Sequence, residues 1–171
     1  MPDRDLLVAL IPRLRRYARA LTGDRPQADD LVQDTLERAL AKWSLWQAGT
    51  DLRARSFTIM HNTFISGVRR SARDALPVDP AILAELGAAE GSSAETLARL
   101  NTLERALHQL PEEQRAVLLL VALEGMSYDE VAHTLGVPAG TVMSRLSRGR
   151  ARLAALLDGG ALPARALKVV K

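Results

Sequence analysis

The feature that most constrains this fold is the punctuation of the stretch from Ser127 to Leu153, SYDEVAHTLGVPAGTVMSRLSRGRARL. Ser127 followed by Glu130 forms a capping box, which starts a helix by satisfying free groups through side chain and backbone together. Gly136 suits a left-handed cap that ends this helix, and Pro138 suits the first turn of the next one. A helix over Tyr128 to about Leu135, a corner of about three residues and a second helix match a helix-turn-helix. Upstream, Glu112 to Glu124 supplies a supporting helix, with Val117, Leu118, Leu120 and Val121 as core candidates.

Drawn as a wheel at about 100° per residue, the second helix separates two faces. Val142, Leu146, Gly149, Leu153, Leu156 and Leu157 gather on one side, and Thr141, Ser144, Arg145, Arg148 and Arg152 on another. The three arginines fall inside an arc of about 60°. The N-terminal part of a recognition helix reaches base edges and its later part meets phosphates, and the arginine fork suits guanine and phosphate alike. The other reading is a surface helix whose arginines only pair with acids. Asp158 is the only acid from Pro138 onward, so local partners are nearly absent and DNA binding is the expectation.

The rest of the chain is helical in pattern too. Aromatics are 4% against 47% hydrophobic residues, so the cores must be aliphatic, and no alternating β-branched run stands out. The net charge of +3 hides a division: residues 1–72 hold 12 basic against 8 acidic residues, residues 73–137 hold 4 against 11, and residues 138–171 hold 7 against 1. Two basic ends therefore flank an acidic middle, a pattern that suits a polyanion partner. With no cysteine there is neither a disulfide framework nor thiolate chemistry. The N-terminus MPDRDLLVALIP lacks a long apolar core, so no signal peptide or membrane span is expected and a cytoplasmic protein is.

Leu6, Leu7, Leu10, Leu14, Tyr17, Ala18 and Leu21 make a first apolar stripe, with a kink or restart expected at Pro12. Pro26 opens a second helix to about Trp43, which buries Leu31, Val32, Thr35, Leu36, Ala39 and Trp43. Asp30, Gln33, Asp34 and Glu37 share its opposite arc as an acidic strip, which for a lone helix more often means a solvated face. A loop, SLWQAGTDLR, leads to a third helix from about Arg55 to Arg73, with Phe57, Met60, Phe64 and Val68 inward. Its other side carries Arg55, Asn62, Ser66, Arg69, Arg70 and Arg73, suited to hold phosphates and base edges. The stretch ALPVDPAILAELGAAEGSSAE has the composition of a linker, so the lobes on either side are expected to move independently. A second lobe spans about Ala94 to Leu157, and ALPARALKVVK reads as a frayed tail.

LPEEQRAVLLLVALEGMSYDEVAHTLGVPAGTVMSRLSRGRARL resembles the promoter-reading C-terminal domain of bacterial sigma factors of the extracytoplasmic-function (ECF) class. ADDLVQDTLERALAKW resembles the same family's core-polymerase-binding helix, and FTIMHNTFISGVRRSAR its promoter-melting helix. The two motif sets stand in the family's order over most of residues 5–157. The resemblance implies an all-α chain of two small helical domains joined by a flexible linker. Residues 1–74 would form the region 2-like domain, 75–94 the linker, 95–158 the region 4-like helix-turn-helix domain and 159–171 the tail.

It further implies that Asp30, Gln33, Asp34 and Glu37 dock on the β′ clamp helices of core RNA polymerase, with the β flap as a further contact. Arg55, Asn62, Ser66, Arg69, Arg70 and Arg73 would read and open the minus-ten element, and Thr141, Ser144, Arg145, Arg148 and Arg152 would read the minus-thirty-five element. The loop Trp46–Arg53 corresponds to the place where the family captures a flipped base. The chain departs from the family at Arg55 and Ser56, where Trp-Leu is usual, and at Ser66 and Gly67, where Asp-Tyr is often found. An anti-sigma factor is the implied regulator, within a stress response.

No cofactor, metal, small-molecule substrate or membrane insertion is expected, and no enzyme activity. His61, His108 and His133 lie far apart without paired ligands, and no glycine-rich phosphate loop occurs. Two alternatives stay open: a stand-alone helix-turn-helix regulator, and a sigma-like decoy that binds only an anti-sigma protein.

Overall fold

The structure is a computed structural model that describes residues 4–47, 49–71 and 93–159, all of whose regular elements are helical. The first lobe contains α1 (Arg4–Thr22), α2 (Arg25–Ala41), a 3-10 turn (Trp43–Leu45) and α3 (Leu52–Ser71). The second contains α4 (Ala94–His108), α5 (Glu112–Ala122), α6 (Tyr128–Leu135) and α7 (Ala139–Leu157). No helix among the described residues is long and apolar enough to cross a membrane.

Local signals fix most boundaries. The Asp24 carboxylate accepts from the Gln27 amide at 3.2 Å, and Pro26 sits in the first turn of α2. Ser93 caps α4 in the same way, by accepting from the Thr96 amide. The capping box of α6 is complete: the Ser127 amide donates to Glu130 Oε2 at 2.7 Å, and the Glu130 amide to Ser127 Oγ at 3.2 Å. Gly136 ends α6 at φ 67°, the left-handed region in which a side chain is disfavoured.

Several expectations need correction. α1 runs unbroken through Pro12, held by the burial of Leu7, Leu14, Tyr17, Ala18 and Leu21, while Leu6 of the expected stripe stays exposed. α3 begins at Leu52, three residues early, because the Asp51 carboxylate accepts from the Ala54 amide at 3.0 Å and caps it. Leu157, grouped with the apolar side of α7, is exposed at the helix end. The expected linker falls almost wholly, and the tail from residue 160, outside the described residues.

The largest difference lies between the lobes, which pack on each other: α1 lies against α4 and α5, and α3 against α6. One apolar cluster runs through both, from Leu14, Tyr17, Leu21, Phe57 and Met60 to Leu107, Val117, Leu120, Val131 and Leu146. Tyr17 and Phe57 meet edge-on at 5.3 Å inside it. The expectation of independence weighed only the cost of ordering the linker. It left out the apolar contact of α1 with α4 and α5, which the closing of the lobes buries.

Candidate nucleic-acid interface

Asp30, Gln33, Asp34 and Glu37 are all exposed on α2, and the Gln33 amide donates to Glu37 Oε1 at 3.0 Å. The opposite face of the helix is buried as its pattern requires, at Leu31, Val32, Thr35 and Ala39. Thr35 hides its hydroxyl by donating to the Leu31 carbonyl at 2.7 Å. The strip is thus one continuous acidic surface on a rigid element.

Next to it, α3 carries the basic surface. Asn62, Ser66, Arg69 and Arg70 are exposed along its later turns, where the two arginines also complement the negative end of the helix dipole. Ser66 Oγ donates to the Asn62 carbonyl at 2.9 Å, so its hydroxyl is partly engaged within the helix. Arg73 lies outside the described residues. At the other end, the exposed Arg55 places its guanidinium 5.6 Å from the Trp46 ring, which stacks on Trp43 at 5.2 Å. Ser56 is buried and donates to the Leu52 carbonyl at 2.8 Å. Where the resembling family has Trp-Leu, this chain carries the exposed Arg55 beside the buried Trp43–Trp46 stack and a buried, satisfied serine.

That loop faces the second lobe across an open cavity of about 740 Å³, lined by Leu45, Thr50, Arg55 and Thr58 on one side and Asp129 and Glu130 on the other. Arg53 Nη2 and Glu130 Oε1 stand 3.9 Å apart at its edge.

On α7, Val142, Leu146 and Gly149 face inward as expected. Gly149 lets α7 approach α5 closely, since a Cβ there would sit 3.1 Å from Leu118 Cδ1. Arg148 is exposed, Thr141, Ser144 and Arg152 are half-buried, and Ser144 Oγ donates to the Thr141 carbonyl at 3.1 Å. Arg145 differs from the expectation that these arginines lack partners. Its side chain is 22% exposed, with Nη2 3.3 Å from Glu113 Oε2, because α5 supplies an acid that a search along α7 alone does not meet. His61 of α3 lies close by, its Nδ1 buried without a hydrogen-bond partner. Burial lowers its pKa first and the charge of Arg145 lowers it further, with Glu113 opposing. His61 of the first lobe thus stands within electrostatic reach of Arg145 on the second lobe's candidate reading helix.

Sequence reasoning missed the charged residues that join the lobes. Glu124 is fully buried, with Arg13 Nη2 2.7 Å from Oε2 in an ion pair that lacks hydrogen-bond alignment, and Arg16 Nη2 3.5 Å from Oε1. Arg115 is 7% exposed and donates only to carbonyls: Leu21 and Leu107 at 2.7 and 2.9 Å, Leu110 at 2.9 Å and His108 at 3.2 Å. The signal available was a charge at each end of an apolar run, Arg115 before AVLLLVAL and Glu124 after it.

Comparison with known proteins bears on the same two lobes. Residues 7–61 match a family model described as the Sigma2 domain of PhyR, and residues 100–153 match one described as Sigma-70, region 4. The chain is 40% identical over 154 residues to an ECF RNA polymerase sigma factor, EcfG, of Rhodopseudomonas palustris, covering 90% of this chain and 84% of that one. Its fold is similar to the sigma factor RpoE of Bartonella quintana, solved with the anti-sigma factor NepR: TM-score 0.74, 33% identity, 91% of this chain and 96% of that one. It is also similar to CnrH, solved with the cytosolic domain of CnrY, at TM-score 0.65 and 28% identity over 94% of this chain and 92% of that one.

Proposed function

The chain belongs to the ECF RNA polymerase sigma factors, and on that premise we propose that it binds core RNA polymerase and directs it to a two-part promoter in the cytoplasm. The acidic strip Asp30, Gln33, Asp34 and Glu37 docks on the β′ clamp helices, and the second lobe adds a contact to the β flap. Asn62, Ser66, Arg69 and Arg70, with Arg55 at the loop and Arg73 beyond Ser71, hold the minus-ten element. Thr141, Ser144, Arg145, Arg148 and Arg152 read the minus-thirty-five element from the major groove. Residues 1–74 and 95–158 act as the two working domains on either side of the linker. The chain itself contributes binding and no bond chemistry.

One observation carries this reading: an exposed acidic helix face lies beside an exposed basic one in the first lobe, while a helix-turn-helix occupies the second. A regulator that binds operators alone has no use for the first pair. An anti-sigma protein is the proposed regulator, supported by the anti-sigma factor seen with the RpoE relative. The shielding of Arg145 favours a second reading, a decoy that only titrates such a protein, but Arg69, Arg70 and Arg148 remain exposed without need in a decoy.

Gel filtration with purified core RNA polymerase separates these readings. The sigma factor co-elutes with core enzyme, whereas a stand-alone regulator or a decoy elutes free while core enzyme of proven activity passes alone.

A further inference from the structure

Glu113 and Arg145 come from different helices of the same lobe, and the packing beneath them fixes their approach. Arg145 stands on α7 beside the buried Leu146, with the buried Gly149 one turn later. That glycine admits α5: a Cβ there would lie 3.1 Å from Leu118 Cδ1 and 3.3 Å from the Cβ of Gln114, the residue after Glu113. The first turn of α5 is thereby held against α7, and Glu113 Oε2 stands 3.3 Å from Arg145 Nη2. Both residues belong to the second lobe, so the pair does not depend on the first.

Stability is not what this pair supplies. The Glu113 side chain is 64% exposed, and an ion pair with so wet a member contributes little to a fold. Arg148 and Arg152, on the same face of α7, have no ion pair among the described residues. Neither has Glu112, the other acid in the first turn of α5. One carboxylate is thus placed on one reading arginine.

That placement changes what Arg145 can do. An arginine on a DNA-facing helix can bind phosphate, which adds affinity on every sequence, or a base edge, which adds it only on the right one. Glu113 opposes the phosphate contact twice, by occupying part of the guanidinium and by repelling the phosphate charge. Guanine is neutral, and its O6 and N7 need only two of the five N–H donors of an arginine. A guanidinium fixed before DNA arrives also loses less freedom when it meets the base.

We propose that Glu113 is a specificity-determining positioning residue, which holds the Arg145 fork for a guanine of the minus-thirty-five element and keeps it off the DNA backbone. The proposal rests on the reading of α7 as the helix that meets this element, and adds to it a residue of α5 that acts through Arg145.

The test measures binding of holoenzyme to duplexes of the true promoter in which each base pair of the minus-thirty-five element is varied in turn, at several salt concentrations. Glu113→Gln keeps the shape of the side chain and removes its charge. It should tighten binding to unrelated sequences, steepen the salt slope by about one and reduce discrimination at a single base pair by about tenfold. Arg145→Ala should lose discrimination at that same base pair, and Glu113→Gln added to it should reduce discrimination no further. Glu112→Gln removes an equal charge from the same turn and should discriminate like wild type. Wild-type discrimination in Glu113→Gln, while Arg145→Ala loses it, overturns the positioning role and leaves α7 as the reader. A Glu113→Gln effect that persists in full without Arg145, or an equal effect of Glu112→Gln, overturns it as well. If Arg145→Ala itself keeps full preference at every base pair, the assignment of Arg145 as a reader falls, and the proposal with it.

Discussion

Arg115 of α5 donates through Nη1 to the carbonyl oxygen of Leu21, 2.7 Å away in the last turn of α1, and so fastens one lobe to the other. Its remaining donors serve the carbonyls of Leu107, His108 and Leu110 at and just beyond the end of α4, of which Leu107 also accepts from the Leu110 amide at 3.1 Å. Burial lowers its pKa, opposed in part by Glu112, and no carboxylate forms an ion pair with it among the described residues. Its role is to satisfy buried carbonyls.

Arg115→Met should therefore destabilise the chain by about 3 kcal/mol or more in urea unfolding, because several carbonyls stay buried without a donor. Arg115→Lys should recover little, since an ammonium cannot reproduce the planar fork. A loss below about 1 kcal/mol in Arg115→Met would contradict this role.

Charge reversal at Asp34 and Glu37 should leave helical content unchanged and weaken core-polymerase binding by roughly tenfold or more, since both carboxylates are exposed and neither holds the fold. Circular dichroism and a pull-down with core enzyme check the two halves. Unchanged affinity in the folded double variant would free α2 of the docking role.

How much of this was legible in the sequence depended on the range of the forces involved. The α6–α7 corner was readable because Ser127, Glu130, Gly136 and Pro138 act on their own backbone within a few residues. The acidic strip followed from helical period alone. Asp51 marked the start of α3 by the same local rule, and was missed because it sits inside a loop. Arg145 could be placed on its face, but its partner Glu113 lies on another helix. The closure of the lobes depends on contacts such as Arg16 to Glu124, more than a hundred residues apart, which no periodicity records.

The arginines of α7 should divide their work. Arg148→Ala should cost about 1–3 kcal/mol on the true promoter and relax preference at one base pair, the signature of a lost arginine–guanine contact. Arg152→Ala should weaken binding on all sequences alike and reduce the salt slope by about one. Holoenzyme binding to a panel of minus-thirty-five variants at several salt concentrations measures both. Identical behaviour of the two variants would contradict the assignment.

Acid should loosen the closed form through His108. Burial, and then the charge of Arg115, lower its pKa from 6.5 to about 4, so the folded chain holds it neutral where the unfolded chain binds a proton. Its contribution is present above pH 6.5 and declines as pH falls towards 4. His61 is shifted in the same direction. The urea midpoint should drop across this window, and the drop should be smaller in His108→Gln. An equal drop in both chains would remove His108 from the cause.

The most direct measurement of the central claim is transcription in a purified system: core RNA polymerase, this chain, and templates from the source genome that carry candidate two-part promoters. The account predicts a discrete transcript that requires this chain, is lost when either promoter element is scrambled, and is weakened by charge reversal at Asp34 and Glu37. If no template yields a transcript dependent on this chain, while the same core enzyme initiates with another sigma factor, the account is contradicted.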